Sequence, residues 1–177
     1  IDYAFSDFKS DRLDLIIFSR AYFILSANAG MEELGNLFRK PMIISAIPIN
    51  IQPTSSDKFI CLTKHHVSKK TGKNLTMSEI INKYAETFNT LDDLIHKKNF
   101  KNEIEFKDNT PEEWRDVAFE MIDRLNKREI ADDNLIQNKY WNLYKKLIEK
   151  SKFENYHGEF KAKFSATFAK RNPEWLL

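Results

Sequence analysis

Residues 22 to 45 read YFILSANAGMEELGNLFRKPMIIS: an apolar run, four small or amide residues, a glycine and then two glutamates. A strand that ends in a tight turn and feeds a helix N-terminus presents free backbone N–H groups and a partial positive charge, which suits a phosphate or diphosphate. In SANAG, Ser26 and Asn28 carry side chains able to hydrogen-bond a ligand, Ala29 offers its backbone, and Gly30 lets the main chain approach closely. Glu32 and Glu33 oppose an anion unless they turn sideways, and a carboxylate there can instead accept sugar or ribose hydroxyls. The spacing is neither G-x-G-x-x-G nor a P-loop, so two readings stand: a ligand site and an ordinary strand-to-helix connection.

Basic and aromatic residues supply the other candidates. Lys64, Lys69 and Lys70 in TKHHVSKKTG could touch phosphates from a loop, a solvated loop being the simpler reading. His65 and His66 are adjacent, and neighbours on a strand face opposite ways, so the pair makes a poor metal site; none is expected. Phe160, Phe164 and Phe168 recur every four residues among Lys161, Lys163, Lys170 and Arg171. Such a stripe reads as core, or as a basic amphipathic helix that lies on an anionic membrane surface. Cys61, in an apolar strand with no evident histidine and carboxylate to activate it, reads as packing. No residue announces itself as a catalytic base, and no cofactor is called for.

The elements that must position these residues follow from periodicity. SDRLDLIIFSRA (10 to 21) has Leu13, Ile16, Ile17 and Phe18 near helical spacing behind Ser10 and Asp11. YFILS (22 to 26) and PMIISAI (41 to 47) are continuously apolar, like parallel strands covered on both faces, and GMEELGNLFRK between them runs acidic to basic as a helix dipole favours. Together they make a βαβ unit. KFICLTKHHV (58 to 67) reads as a further strand or extended segment and EIEFKDN (103 to 109) as a short strand. LTMSEIINKYAETF (75 to 88) opens on a capping box of Thr76 and Glu79. TPEEWRDVAFEMIDRLN (110 to 126) has Thr110 as cap, Pro111 at the first helical position, Glu112 and Glu113 against the dipole, and Trp114, Val117, Met121 and Leu125 on one face. NLIQNKYWNLYKKLIEK (134 to 150) and GEFKAKFSATFAKR (158 to 171) continue as helices. The expected fold class is α/β: a Rossmann-like parallel sheet flanked by helices, with a helical C-terminal end.

With 177 residues, 42% hydrophobic and 13% aromatic, the chain supports a single domain over 1–177. Its 28 basic and 26 acidic residues give a net charge of +2 without a basic stripe, which argues against nucleic acid as a partner. One cysteine excludes an intramolecular disulfide. No apolar run approaches the roughly 20 residues of a membrane span, and no signal-peptide pattern is present, so a cytoplasmic location is expected, with the inner-membrane surface as a peripheral alternative.

FSRAYFILSANAGMEELGNLFRKPMIIS resembles the stretch in the C-terminal half of GT-B glycosyltransferases where heptosyltransferase-like enzymes carry a strand, an Asp-Ser-Gly-Pro-Met-His-Leu turn and helix, and a Gly-Thr-Pro before the next strand; the interval from Gly30 to Pro41 is the same. The order of DYAFSDFKSDRLDLII, the glycine turn, RKPMIISAIPIN, TKHHVSKKTGKNLTMSEII, DNTPEEWRDVAFEMIDRL and HGEFKAKFSATFAKRNPEWLL is similar to that in bacterial glycosyltransferases of surface polysaccharide biosynthesis. Departures are Asn28 for aspartate, Met31 for proline, Glu33 for histidine, and Arg39 for the glycine before Pro41.

The resemblance implies one half of a GT-B fold, the half that binds a nucleotide-diphosphate sugar donor for transfer to a glycan acceptor. It implies backbone contacts to the diphosphate from Ala29, Gly30 and Met31, with Ser26, Asn28, Glu33 and Lys64 around the donor. In that family an N-terminal GT-B domain usually holds the acceptor and often the base, so the expected partner is that missing domain and the chain alone is expected to be catalytically incomplete. The competing reading is a non-catalytic α/β interaction domain that docks a partner or a membrane through its C-terminal helices. A sugar-nucleotide epimerase fits less well, since Tyr140 and Tyr144 have no lysine at the required interval.

Overall fold

The computed structural model describes residues 2–27, 30–46, 56–87, 102–150, 159 and 161–177. Four parallel strands, β1 (Ile24–Ser26), β2 (Met42–Ala46), β3 (Phe59–Thr63) and β6 (Lys163–Phe164), form one sheet in that spatial order. A separate antiparallel ribbon pairs β4 (His65–Ser68) with β5 (Ile104–Lys107). The helices are α1 (Asp11–Arg20), α2 (Glu32–Leu37), α3 (Met77–Tyr84), α4 (Pro111–Leu125), α5 (Asp133–Lys150) and α6 (Ala166–Arg171), followed by a 3₁₀ turn over Pro173–Leu176.

The apolar runs are central strands, as their composition requires. Alternate residues serve opposite faces: Ile43, Ile60 and Leu62 join the main core with α3, α4 and α5, while Met42, Ile44, Phe59 and Cys61 pack on the other side with Ala162. The βαβ unit is parallel, with Ile24 opposite Met42 and Ser26 opposite Ile44. Both capping boxes form, Thr76 with Glu79 at α3 and Thr110 with Glu113 at α4.

Two expectations are corrected. KFICLTKHHV is not one strand: the chain leaves the parallel sheet after Thr63 and re-pairs from His65 onward with β5, putting His66 opposite Phe106. The C-terminal end is not all helical either, because Lys163 and Phe164 lie parallel to β3 and the helix starts at Ala166, capped by the Ser165 hydroxyl. Phe164 therefore sits on a strand and Phe168 on a helix, both in the core, which removes the helical stripe; Phe160 is outside the described residues.

One polar network holds that C-terminal strand and helix in place. The Glu120 carboxylate, from α4, accepts the N–H groups of Ala166 and Thr167 at 3.1 and 2.9 Å and the hydroxyls of Ser165 and Thr167 at 2.9 Å. Arg124 donates to the same carboxylate and to Asp133 on α5, and Asp133 accepts from Gln137. The Gln137 amide then pairs with both backbone groups of Phe164, at 2.8 Å each. Glu120, Arg124 and Asp133, the charges of this network, thus each have an opposite charge within hydrogen-bonding distance, as burial demands.

Helices α2 and α4 end alike. Lys40 N–H returns to Gly35 O and Arg39 N–H to Asn36 O; Arg128 N–H returns to Asp123 O and Lys127 N–H to Arg124 O. These are Schellman motifs in which Arg39 (φ 52°) and Lys127 (φ 58°) hold the left-handed position that glycine usually fills. Gly35, by contrast, is required by contact, since a Cβ there would lie 2.4 Å from Met42 Sδ and 2.8 Å from Ile24 Cδ1. Chemical denaturation should therefore show Arg39→Gly and Lys127→Gly gaining roughly 0.5–1 kcal/mol each, and Gly35→Ala losing about 1–3 kcal/mol through overpacking.

Candidate functional site

The carboxyl ends of parallel strands are where α/β sheets offer ligands a crevice, and the polar residues of this chain gather there. At the end of β1, Ser26 donates to Glu32 Oε2 at 2.6 Å, and Glu32 is 5% exposed. Glu33 accepts from Asn36 on the outside of α2 at 2.9 Å. Both carboxylates thus have local partners. Gly30 and Met31 stand at the turn itself, and among the described residues a Cβ built on Gly30 would meet nothing within 4 Å. Asn28 and Ala29 lie outside the described residues.

At the ends of β2 and β3, Ser45 donates to Asn109 Oδ1, and Asn109 Nδ2 donates to the Thr63 carbonyl at 2.9 Å. Asn109 immediately precedes the α4 cap, so it ties that helix's N-terminus to the mouth of the sheet. Lys64 follows Thr63 and pairs with Asp108, whose carboxyl the Lys64 ammonium holds below the ordinary range. Lys69 and Lys70 do not join Lys64; they line a separate concavity of about 830 Å³ with Lys83, Tyr84 and Glu103.

The next residue, His65, meets Glu113 through Nε2 at 2.9 Å. Glu113 has a side chain only 2% exposed and also accepts from Thr110 N–H at 2.8 Å and from Asn172 Nδ2 at 2.8 Å. Burial would raise its carboxyl, but the hydrogen bonds from His65, Asn172 and Thr110 outweigh burial and hold it at about 2. The same hydrogen bond raises His65 above its usual value against partial burial, with Glu174 adding a smaller pull. An imidazole backed by an anchored carboxylate is an arrangement able to accept or relay a proton. Periodicity assigned Glu113 only to the helix dipole. The signal for more was its phase, four residues before Val117 on the buried face of α4.

His66 points the other way, as strand alternation requires. It is 1% exposed, stacks on Trp175 at 5.2 Å and meets the Phe106 ring edge-on at 5.0 Å. Burial pushes its imidazole down to about 3 against a smaller opposing pull of the Lys64 backbone, and neither ring nitrogen meets hydrogen-bond geometry with a described residue. The crevice beside it measures about 10 Å³, space for a single water and not for an organic ligand. Cys61 is buried and its thiol is raised to about 12, as packing implies. Among the described residues no group of three or more His, Cys, Asp or Glu side chains could hold a metal ion, and no helix is long and apolar enough to cross a membrane.

No protein-family model, curated protein or solved structure matches the chain.

The two histidines should act oppositely on stability. His65, raised in the folded state, contributes stability that is present below about 6.5 and lost as pH rises through its folded value. His66, lowered to about 3, destabilises the fold as pH falls from about 6.5 toward 3, because only the unfolded chain binds its proton there. Replacing His66 with Phe keeps the ring contacts and removes two unpartnered nitrogens. Denaturant titrations should find His66→Phe more stable by about 1–3 kcal/mol at pH 5 and less sensitive to acid than the parent between pH 6.5 and 4; equal slopes would contradict the assignment.

Proposed function

We propose that the chain is the donor-binding domain of a glycosyltransferase, which holds a nucleotide-diphosphate sugar at the carboxyl ends of β1 to β3. One observation carries this reading. Side-chain hydrogen bonds cap α1, α3, α4 and α6, through Ser10, Thr76, Thr110 and Ser165, whereas α2 begins at Met31 with no side-chain cap. A helix start without a side-chain cap at the carboxyl end of a parallel strand can turn its first N–H groups to a ligand's oxygens; those of Glu33 and Leu34 return to the Gly30 and Met31 carbonyls, so the groups ahead of them would serve. Glu32 and Glu33 are turned to Ser26 and Asn36, which reduces the objection to an anion there. Lys64, two strands away, carries a cation that is paired with Asp108 and would have to share it with the ligand. The sugar passes to the acceptor as its bond to the phosphate oxygen breaks, the nucleoside diphosphate leaves, and backbone dipoles stabilise the charge that develops on it.

A second reading, an α/β interaction domain, is favoured by α1. This helix has no buried residue and leaves Leu15, Ile16 and Ile17 at least 40% exposed, near Phe5 and Phe8 in sequence. The docking face would then be α1 and not the C-terminal helices, whose aromatic residues are consumed by the core.

Thermal shift against UDP-, GDP-, CMP- and ADP-sugars separates the two. Gly30→Val should keep the melting temperature of the unliganded protein, since a Cβ at Gly30 meets no described residue within 4 Å, yet abolish the shift that one of these donors gives the parent. A parent that responds to none of them leaves only the interaction reading.

A further inference from the structure

We infer that the concavity between the turn after β4, helix α3 and the start of β5 is a binding site for a small, soluble phosphate ester, gripped by Lys69, Lys70 and Lys83. It stands apart from the donor reading. Among the described residues, neither the turn after β1 nor any strand of the parallel sheet lines it, so either reading can fail alone.

Local backbone builds the cationic wall. Ser68 N–H donates to Lys73 O at 2.9 Å and Gly72 N–H to Ser68 O at 2.7 Å, and Gly72, at φ 68°, holds the left-handed position that closes so tight a turn. Lys69 and Lys70 lie within it, and Lys69 N–H donates to Glu103 O at 2.8 Å, which fastens the turn to the residue before β5. From α3, Lys83 donates to the Glu103 carboxylate, which also takes the Tyr84 hydroxyl at 2.7 Å. The three walls are thus tied together through Glu103, which spares a ligand the cost of ordering them.

The charge balance selects an anion. Three ammonium groups stand against two carboxylates, and both carboxylates are engaged: Glu79 accepts Thr76 N–H in the α3 capping box, and Glu103 accepts from Lys83 and Tyr84. Those two hydrogen bonds, with a further pull from the charge of Lys70, hold the Glu103 carboxyl below its ordinary range. Lys70 itself meets no carboxylate within ion-pair distance among the described residues. Lys150, at the end of α5, donates to Asn82 on the α3 wall at 2.9 Å and adds a fourth cation beside it. The volume, about 830 Å³, lies within the roughly 300–1,000 Å³ of small-molecule sites. The amides of Asn82 and Asn102 and the Ser68 hydroxyl suit hydroxyl groups on the body of the ester, and Leu75 suits its carbon skeleton. A lipid headgroup suits the rim less, since none of the exposed large apolar side chains among the described residues lines it.

Calorimetry and amide NMR on the whole chain at fixed ionic strength test this. The probes are inorganic phosphate, glycerol-3-phosphate, glucose-6-phosphate, the parent glycerol and glucose, and phosphatidylcholine vesicles with and without phosphatidic acid. Expected is saturable binding of at least one ester at millimolar concentration or below, tighter than inorganic phosphate and absent for glycerol and glucose, with amide shifts centred on residues 68–71, Lys83 and Glu103. Lys70→Gln, at an exposed position that leaves the fold intact, should lose about tenfold in affinity. Lys9→Gln, which removes the same charge ahead of α1, should lose none. No saturable binding of either ester, unchanged affinity in Lys70→Gln, equal losses in the two variants, or binding to the phosphatidic acid vesicles alone would each overturn the inference and leave the donor reading untouched.

Discussion

The Glu120 carboxylate is the constraint on which the rest of the fold depends. It is completely buried, and it can be so because the start of α6 supplies two backbone N–H groups and two hydroxyls while Arg124 supplies the countercharge. Removing any of these donors would leave charge in a place that cannot solvate it, so α4, α6 and the loop before them are bound to one geometry. Glu113 lies seven residues earlier on the same face of α4 and does at one end of the helix what Glu120 does two turns later. One helix thus fixes the C-terminal strand and helix with one carboxylate and orients His65 with the other. Packing and candidate chemistry share a scaffold.

Carboxylates answer helix starts repeatedly here. Glu79 completes the cap of α3, Glu113 that of α4, and Glu120 reaches across to α6. The internal anions occupy the positions where an external one would otherwise be attracted. This is why the start of α2 stands out: its two glutamates are engaged elsewhere, one beneath the turn and one along the helix surface. The same residue type answers three helix starts, whereas at the fourth, α2, it turns to side chains instead.

Much of the scaffold was legible from sequence because it rests on local physics. Apolar runs around an acidic-to-basic helix imply a βαβ unit, and Thr-x-x-Glu implies a capped helix, whatever surrounds them. What was missed depends on contacts distant in sequence. Lys64 looks like one residue within an extended run, yet the Asn109 amide, 46 positions beyond Thr63, donates to the Thr63 carbonyl and the chain changes sheets. Phe164 and Phe168 have helical spacing, but Gln137 clamps the first into a strand. The candidate site divided the same way. Ser26, Gly30 and Lys64 were visible as residue types near a turn, whereas the pairing of His65 with Glu113 joins positions 48 apart and required the fold.

The Gln137 clamp also gives the sheet a direction of growth. By satisfying both backbone groups of Phe164 with a side-chain amide, it ends the hydrogen-bonding ladder at β6 as a further strand would, without offering an edge of its own. At the opposite border β1 pairs only with β2 among the described residues, and Leu25 there is half exposed. Among the described residues, the border of this sheet left for a further strand is therefore the one beside β1.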